Sequence, residues 1–122
     1  YVCGPTVYST IHIGNARPVV FFDIVKRYLT YLGYEVNYAS NITDVDDKII
    51  ASAIKHGKDE IEYAHGFADV YLKNVKELGC NLPDHIPYAT NYMEQMIEFI
   101  GKLIELGYAY EVDGDFTSEY LK

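Results

Sequence analysis

The sequence predicts an α/β fold, in which a parallel sheet with its crossover helix is followed by a mainly helical segment. Residues 1–39 are patterned as strand, helix and strand, and consecutive strands of this kind pair in parallel through a right-handed crossover. Residues 59–107 hold two long stretches with apolar residues at helical spacing. We therefore expect residues 1–56 to form the first half of a Rossmann-like parallel-sheet nucleotide-binding fold. Residues 57–122 are expected to form the beginning of a helical insertion.

The first elements surround a glycine-bearing turn. Residues 1–2 read as a short strand before Gly4 and Pro5, and residues 16–32 read as a helix with Asn15 as N-cap, Pro18 near the first turn and Gly33 as its stop. Residues 34–39 alternate as in a strand. A glycine turn at a helix N-terminus favours a bound phosphate, although the G-x-G-x-x-G and G-K-[ST] patterns are both absent.

The later elements are marked by caps and glycines. Thr43 and Asp46 have capping-box spacing before a helix that runs to about residue 55 and stops at Gly57. Asp59 opens the next helix, which Gly79 closes, and residues 80–88 read as a loop with two prolines. A last helix starts near residue 90 or 91 and stops before residue 107. A strand at residues 108–112 and a turn at 113–114 follow.

Composition limits the possible functions. The 122 residues are 49% hydrophobic, which is typical of one globular domain or part of one. The net charge of −8 argues against this segment as the main nucleic-acid surface, whereas backbone dipoles can still hold ATP. No signal peptide or membrane-spanning run is visible, so we expect a cytoplasmic protein without membrane contact. Because the first residue is Tyr1, we expect a piece of a longer protein.

Three stretches carry a resemblance to a known family: Y-V-C-G-P-T-V-Y from residue 1, H-I-G-N-A-R from residue 12 and N-I-T-D-V-D-D-K-I-I from residue 41. The chain resembles the amino-terminal catalytic segment of cysteinyl-tRNA synthetases, which are class I aminoacyl-tRNA synthetases. Asn15 stands where the second histidine of their H-I-G-H signature usually falls. The resemblance implies a ligase that uses ATP with Mg²⁺ to convert L-cysteine to cysteinyl adenylate and then transfers the cysteinyl group to tRNA(Cys).

The resemblance also implies an ATP site at the start of the first helix. His12 is expected to donate a hydrogen bond to the phosphate on which negative charge develops. Gly14 would let adenine lie on the backbone, and Asn15 would offer its amide to phosphate or ribose, cap the helix, or do both. We take His12 and Asn15 as catalytic, and all three residues as ATP-binding.

Cys3, Gly4 and Thr43 are the expected substrate-binding residues. By resemblance, Thr43 lies near the amino group of cysteine, and Cys3 is one ligand of a Zn²⁺ ion that binds the substrate thiolate. A thiophilic metal would discriminate cysteine from serine better than an apolar pocket does. A partly buried cysteine taken alone is more often a small hydrophobic residue. The remaining zinc ligands are expected outside this chain; a separate zinc site from Cys80, His56, His65 and His85 is disfavoured.

Two alternatives remain open. A related ligase that passes cysteine to an aminosugar amine would share Cys3 and His12, and a non-catalytic nucleotide-binding module would share the fold. The roles of Arg17 and Lys48 are open between phosphate or tRNA contact and ordinary solvated positions. Since no K-M-S-K-S loop or tRNA anticodon-binding region is present, we expect most tRNA contacts to lie elsewhere and the isolated segment to be inactive.

Overall fold

The computed structural model describes residues 1–110. Its regular elements are helices: α1 (Ile13–Tyr31), α2 (Asp47–His56), α3 (Glu60–Glu77), a short 3₁₀ helix (Ala89–Tyr92) and α4 (Met93–Glu105). In this part of the chain, no helix combines the length and the apolar character needed to cross a bilayer. The predicted turn at 113–114 and the end of the predicted strand at 108–112 lie outside the described residues.

The chain divides into two compact units, Tyr1–Asn91 and Tyr92–Lys122. In the first unit, α2 packs against α3. The core of this unit is formed by side chains of the N-terminal segment, residues 42–53 and one face of α3: Val7, Ile42, Ile49, Ala53, Tyr63, Ala64, Ala68, Tyr71 and Val75. In the second unit, no residue of α4 is buried. This division separates compact parts of the chain and does not test where an insertion begins. The boundary expected between residues 56 and 57 therefore stays a prediction.

Three extended segments pair in parallel through isolated bridges. Val2 bridges Ser40 and Thr6 bridges Thr43, while Ala39 and Ile42 bridge His85 and Tyr88. The pairing direction is the predicted one, but a continuous parallel sheet is not confirmed. Pairing starts at residue 39 instead of running along residues 34–39, and residues 85–88, expected as loop, supply the third segment.

The proline in that third segment does not prevent the pairing. Pro87 has no N–H, yet its carbonyl oxygen accepts a hydrogen bond of 2.8 Å from the amide of Ile42. A proline is tolerated where only its carbonyl faces the neighbouring strand. Two prolines in nine residues favour a loop when read locally, and this long-range pairing is what overrides that interpretation.

Helix α1 begins three residues earlier than predicted. Its N-cap is His12, and Asn15 lies inside the first turn, so the expectation that Asn15 is the N-cap was wrong. The imidazole accepts the orphan N–H that an Asn, Asp or Ser would ordinarily accept. The far end agrees with the sequence, because Gly33 follows the cap with φ of 91°, a left-handed conformation that favours glycine.

At the other helix starts, some of the predicted capping residues are confirmed and others are not. Asp46 caps α2 and Asp59 caps α3, and Gly57 ends α2 in the left-handed conformation. Thr43 takes no part in a capping box, because it pairs with the N-terminal segment instead. Tyr92 precedes α4 with no side-chain cap, and the Thr90 hydroxyl donates to Asp44 at 2.5 Å.

Candidate active site

The N-terminal segment contains one extra residue relative to its partner. The amide of Val2 donates to the Ala39 carbonyl at 2.9 Å, and the amide of Val7 donates to the Thr43 carbonyl at 3.2 Å. Five residue steps on one segment therefore face four steps on the other. This two-against-one arrangement is a β-bulge, a feature that interrupts a ladder and is common beside active sites. It explains why bridges, and no continuous strand, are found here.

Gly4 lies inside this bulge, and only glycine fits there. A Cβ atom added to Gly4 would lie 1.6 Å from the carbonyl oxygen of Asn41. The Gly4 amide donates to the side-chain Oδ1 of Asn41 at 2.9 Å. Because the clash is with a backbone atom, any side chain at residue 4 would separate the two segments.

The bulge and the start of α1 line one cavity of about 180 Å³. Cys3 and Gly4 come from the bulge, and Gly14 and Asn15 come from the first turn of α1. Tyr71 of α3 also lines the cavity, and burial raises the pKa of its phenol to about 12, so this wall stays uncharged at neutral pH. The structure thus brings together four predicted site residues from two separate motifs.

His12 and Asn15 form a reciprocal cap at the mouth of α1. The amide of Gly14 donates to His12 Nδ1 at 3.0 Å, and the amide of His12 donates to Asn15 Oδ1 at 3.1 Å. Since Nδ1 accepts a hydrogen bond, the neutral imidazole carries its proton on Nε2. His12 lines a smaller cavity of about 60 Å³, and Asn15 lines both cavities.

The structure gives a reason for glycine at residue 14 that differs from the expected one. A Cβ atom at Gly14 would lie 2.7 Å from His12 Cε1 and 2.9 Å from His12 Nδ1. The glycine therefore makes room for the capping imidazole. Its predicted role of supporting adenine remains a prediction that this geometry leaves open.

Thr43 is connected to the bulge through Asn41. The Nδ2 group of Asn41 donates to Thr43 Oγ1 at 3.1 Å, and the amide of Thr43 donates to the carbonyl of Pro5 at 3.0 Å. Sequence reasoning did not single out Asn41. The available signal was its place in the motif, as a polar residue two positions before Thr43, but that position alone indicates no partner.

Cys3 is an exposed free thiol whose sulfur lies 3.7 Å from the Gly4 carbonyl oxygen. As a soft donor on the cavity wall it fits the role of one zinc ligand. Within residues 1–110, no three His, Cys, Asp or Glu side chains are grouped closely enough to hold a metal ion. A complete zinc site would therefore need donors beyond those that the described residues bring together.

Two of the other histidines have hydrogen-bond partners away from the cavity. His56 bonds the Ser52 carbonyl at 2.7 Å and His65 bonds Asp44 at 3.2 Å. Cys80 is half-buried, and burial together with the nearby Asp23 carboxylate raises the pKa of its thiol. Lys48 lies 5.7 Å above the ring of Tyr8, a cation–π distance.

Asp44, next to Thr43, is a buried carboxylate that holds surrounding segments together. Its oxygens accept from the amide and hydroxyl of Thr90 at 3.0 and 2.5 Å and bond His65 Nε2. Burial by itself raises the pKa of Asp44, but the hydrogen bonds from Thr90 and His65 outweigh burial, so the pKa lies below its usual value. Asp44 therefore stays ionised and anchors the segment that carries Thr43.

These features define a class of protein before any particular relative is considered. Parallel pairing, a helix N-terminus open beside a cavity and the H-I-G-N motif at that helix are typical of class I synthetase catalytic domains. A family model described as "tRNA synthetases class I (C) catalytic domain" matches residues 1–121. The chain belongs to this family.

Curated relatives agree with the family. The chain is 54% identical over 115 residues to the cysteine–tRNA ligase of Anoxybacillus flavithermus, covering 94% of the chain and 25% of that protein. It is 60% identical over 111 residues to the cysteine–tRNA ligase of Acholeplasma laidlawii, covering 91% and 26%. The enzyme of Archaeoglobus fulgidus is 54% identical, again over 94% and 25%. The chain thus spans about a quarter of the length of these relatives.

Proposed function

We propose that the protein containing this chain is a cysteine–tRNA ligase. In two steps it would form cysteinyl adenylate from L-cysteine and ATP and then transfer the cysteinyl group to tRNA(Cys). The observation that carries the proposal is that Cys3 and the Gly14–Asn15 turn line one cavity. A thiol-recognising group and a phosphate-binding helix start are the two features that cysteine activation requires. The relatives' names support the same activity.

The proposed chemistry places developing negative charge at the mouth of α1. An oxygen of the cysteine carboxylate attacks the α-phosphorus of ATP, and pyrophosphate leaves with the electron pair of the broken phosphorus–oxygen bond. The phosphoryl oxygens gain charge on the way, so donors already aimed at them lower the barrier. His12 has such a donor in its Nε2–H, because its Nδ1 is committed to the Gly14 amide.

Asn15 can assist without giving up its structural role. Its Oδ1 accepts the His12 amide, which leaves the Nδ2 hydrogens to donate to a phosphate or ribose oxygen. The N-terminal amides of α1 and the helix dipole would add to the attraction for phosphate. Mg²⁺ would enter with ATP and neutralise the remaining phosphate charge.

Cys3 would bind zinc together with ligands from the remainder of the protein. When bound, the metal would supply a soft Lewis acid that holds the substrate thiolate and rejects serine. Cys3 itself would contribute a thiolate from the exposed edge of the bulge, while Gly4 keeps that edge close to Asn41. Thr43 would contact the substrate amino group.

The finer description of the fold belongs to the same proposal. We infer that residues 1–56 lie in the nucleotide-binding half of a Rossmann-like domain, and that the helical insertion starts near Gly57. The four parallel bridges support such a sheet. The remaining strands and the majority of tRNA contacts would come from the rest of the protein.

The test is cysteine-dependent exchange of labelled pyrophosphate into ATP by the full-length protein. The two free cysteines offer a matched pair, because Cys3 is on the cavity and Cys80 is not. We expect Cys3→Ala to lower exchange by at least ~100-fold, since even an outer-shell contact to a metal ligand contributes up to about that much. Cys80→Ala should leave exchange within about two-fold of wild type.

The outcomes separate the alternatives. No exchange by the wild-type protein, with zinc present, would contradict the ligase and favour a nucleotide-binding module. Exchange with charging of an aminosugar instead of tRNA would identify the related ligase. Equal exchange in both cysteine variants would remove Cys3 from the site while leaving the activity intact.

A further inference from the structure

The bulge at residues 3–6 breaks a hydrogen-bond ladder that would otherwise be regular. After the bond from the Val2 amide to the Ala39 carbonyl, a regular parallel ladder would join the Gly4 amide to the Asn41 carbonyl. The Gly4 amide instead donates to the Asn41 side chain at 2.9 Å. The Asn41 amide group thus substitutes for a main-chain partner next to Cys3, which lines the cavity.

The same amide group reaches the second half of the expected substrate site. Its Nδ2 donates to Thr43 Oγ1 at 3.1 Å, while its Oδ1 holds Gly4. Thr43 has a β-branched side chain, so a bond to Oγ1 selects the rotamer that sets where the hydroxyl and the methyl group lie. One side chain therefore determines both the path of the Cys3–Gly4 backbone and the orientation of the Thr43 hydroxyl.

We propose that Asn41 is a positioning residue for cysteine recognition, which joins the thiol end of the site at Cys3 to the amino end at Thr43. This inference rests on the proposed ligase function. Asn41 touches neither reactant in the proposal and acts through the two residues that do. Aspartate at residue 41 would keep the acceptor for Gly4 but has no N–H to donate, so a bond to Thr43 would run from the hydroxyl to the carboxylate; alanine would supply neither donor nor acceptor.

A purely structural role for Asn41 has different consequences. If Asn41 only stabilised the segment, its removal would lower the fraction of folded enzyme and reduce the rate at all substrate concentrations. If Asn41 positions Cys3 and Thr43, its removal would raise the KM for cysteine and leave the KM for ATP nearly unchanged, because the α1 mouth does not depend on its amide.

The kinetic test compares Asn41→Ala with Asn37→Ala in the full-length protein by pyrophosphate exchange. Asn37 is an exposed asparagine four residues earlier, so it controls for the loss of an amide. We expect Asn41→Ala to raise the KM for cysteine about 10-fold, within the range for leaving a partly buried group unpaired. The KM for ATP should stay within about two-fold, and Asn37→Ala should match wild type.

A double variant tests the path through Thr43. If Asn41 acts by orienting Thr43, Thr43→Val removes the group that is oriented, so adding Asn41→Ala should raise the KM for cysteine less than it does in the wild-type background. Thr43→Ser keeps the hydroxyl and should retain its sensitivity to Asn41→Ala. Full additivity of Asn41→Ala with Thr43→Val would overturn the Thr43 part of the proposal.

Hydrogen exchange supplies a readout that needs no activity. In Asn41→Ala, deuterium uptake by the peptide spanning residues 3–7 should rise by about one fast amide, that of Gly4. The isosteric Asn41→Asp keeps an acceptor for the Gly4 amide and should keep that protection. Absence of pyrophosphate exchange in the wild-type protein would contradict the ligase function alone. Unchanged Gly4 protection in Asn41→Ala, or an unchanged KM for cysteine in that variant, would overturn the role of Asn41.

Discussion

The N-terminus of α1 is built differently from the N-termini of α2 and α3. Carboxylates cap α2 and α3 through Asp46 and Asp59. The first turn of α2 has one further acidic residue, and that of α3 has two. Helix α1 is capped by the neutral pair His12 and Asn15, and its first turn, which lies wholly within the described residues, contains no acidic residue.

This difference separates a structural helix start from one that is available to a ligand. A carboxylate at a helix N-terminus satisfies orphan amides and neutralises the positive end of the dipole. At α1 the amides are capped without that negative charge, so the positive end can attract an anion from solution. In a chain with 18 acidic residues, a first turn free of them favours phosphate binding at this one helix.

The largest expected effect separates the capping role of His12 from its proposed catalytic role. Asparagine is a strong N-cap, so His12→Asn should keep the bond to the Gly14 amide while it removes the Nε2–H donor. We expect pyrophosphate exchange by the full-length protein to fall about 10²–10³-fold in kcat, the usual cost of one lost transition-state donor. His12→Gln, which places an amide near the lost Nε2–H, should recover part of that rate.

Hydrogen exchange in residues 13–16 provides the control for this pair. Protection of these amides should persist in His12→Asn and fall in His12→Gln, so that catalytic rate and capping change in opposite directions. If His12→Asn retained wild-type kcat, the imidazole would be a cap only, and the contrast between α1 and the other helices would lose its functional meaning.

A smaller effect is expected when α1 is given the acidic first turn of its neighbours. Asn15→Asp keeps an acceptor for the His12 amide and adds one negative charge. The KM for ATP should rise at least ~10-fold, because like charges about 4 Å apart near a protein surface repel by a few kcal/mol. The matched reverse change on α2, Asp47→Asn, should leave both KM values within about two-fold. An unchanged KM for ATP in Asn15→Asp would show that phosphate does not approach this turn.

The smallest effect concerns a helix start with no ligand. Asp59 accepts from the amides of Ile61 and Glu62, each at 3.0 Å. Asp59→Ala should lower the free energy of local opening at the start of α3 by about 1 kcal/mol, the typical worth of an N-cap, and leave pyrophosphate exchange unchanged. Hydrogen exchange of residues 60–63 in the full-length protein measures the first quantity. A large loss of activity in this variant would contradict the division between structural and ligand-binding helix starts.

Short-range signals predicted the helices well. Gly33, Gly57, Gly79 and Gly107 follow helix ends with φ between 63° and 91°. Asp59 was expected to open α3 and does so. These features depend on a few neighbouring residues, because left-handed backbone and capping are satisfied within one turn. The family could be identified for a similar reason, since each of its three motifs is one continuous stretch of sequence.

Long-range partners were the part that the sequence did not predict. The last helix was expected to start near residue 90 or 91, but the Thr90 hydroxyl donates to Asp44, which is 46 residues away. Residues 85–88 were expected as loop, and they pair with residues 39–42. A local pattern ranks the possible partners of a polar group by their proximity in sequence, whereas a buried carboxylate binds whichever donors the fold brings near.

The sequence by itself determined the helix ends, the family and the identity of the residues expected in the site. Tertiary structure alone decided that one extra residue interrupts the pairing beside Cys3 and that Asn41 joins Gly4 to Thr43. The physical reason is the range of the interactions. Caps and glycine turns are satisfied within a few residues, while the bond from Gly4 to Asn41 spans 37 residues and exists only once the segments pair.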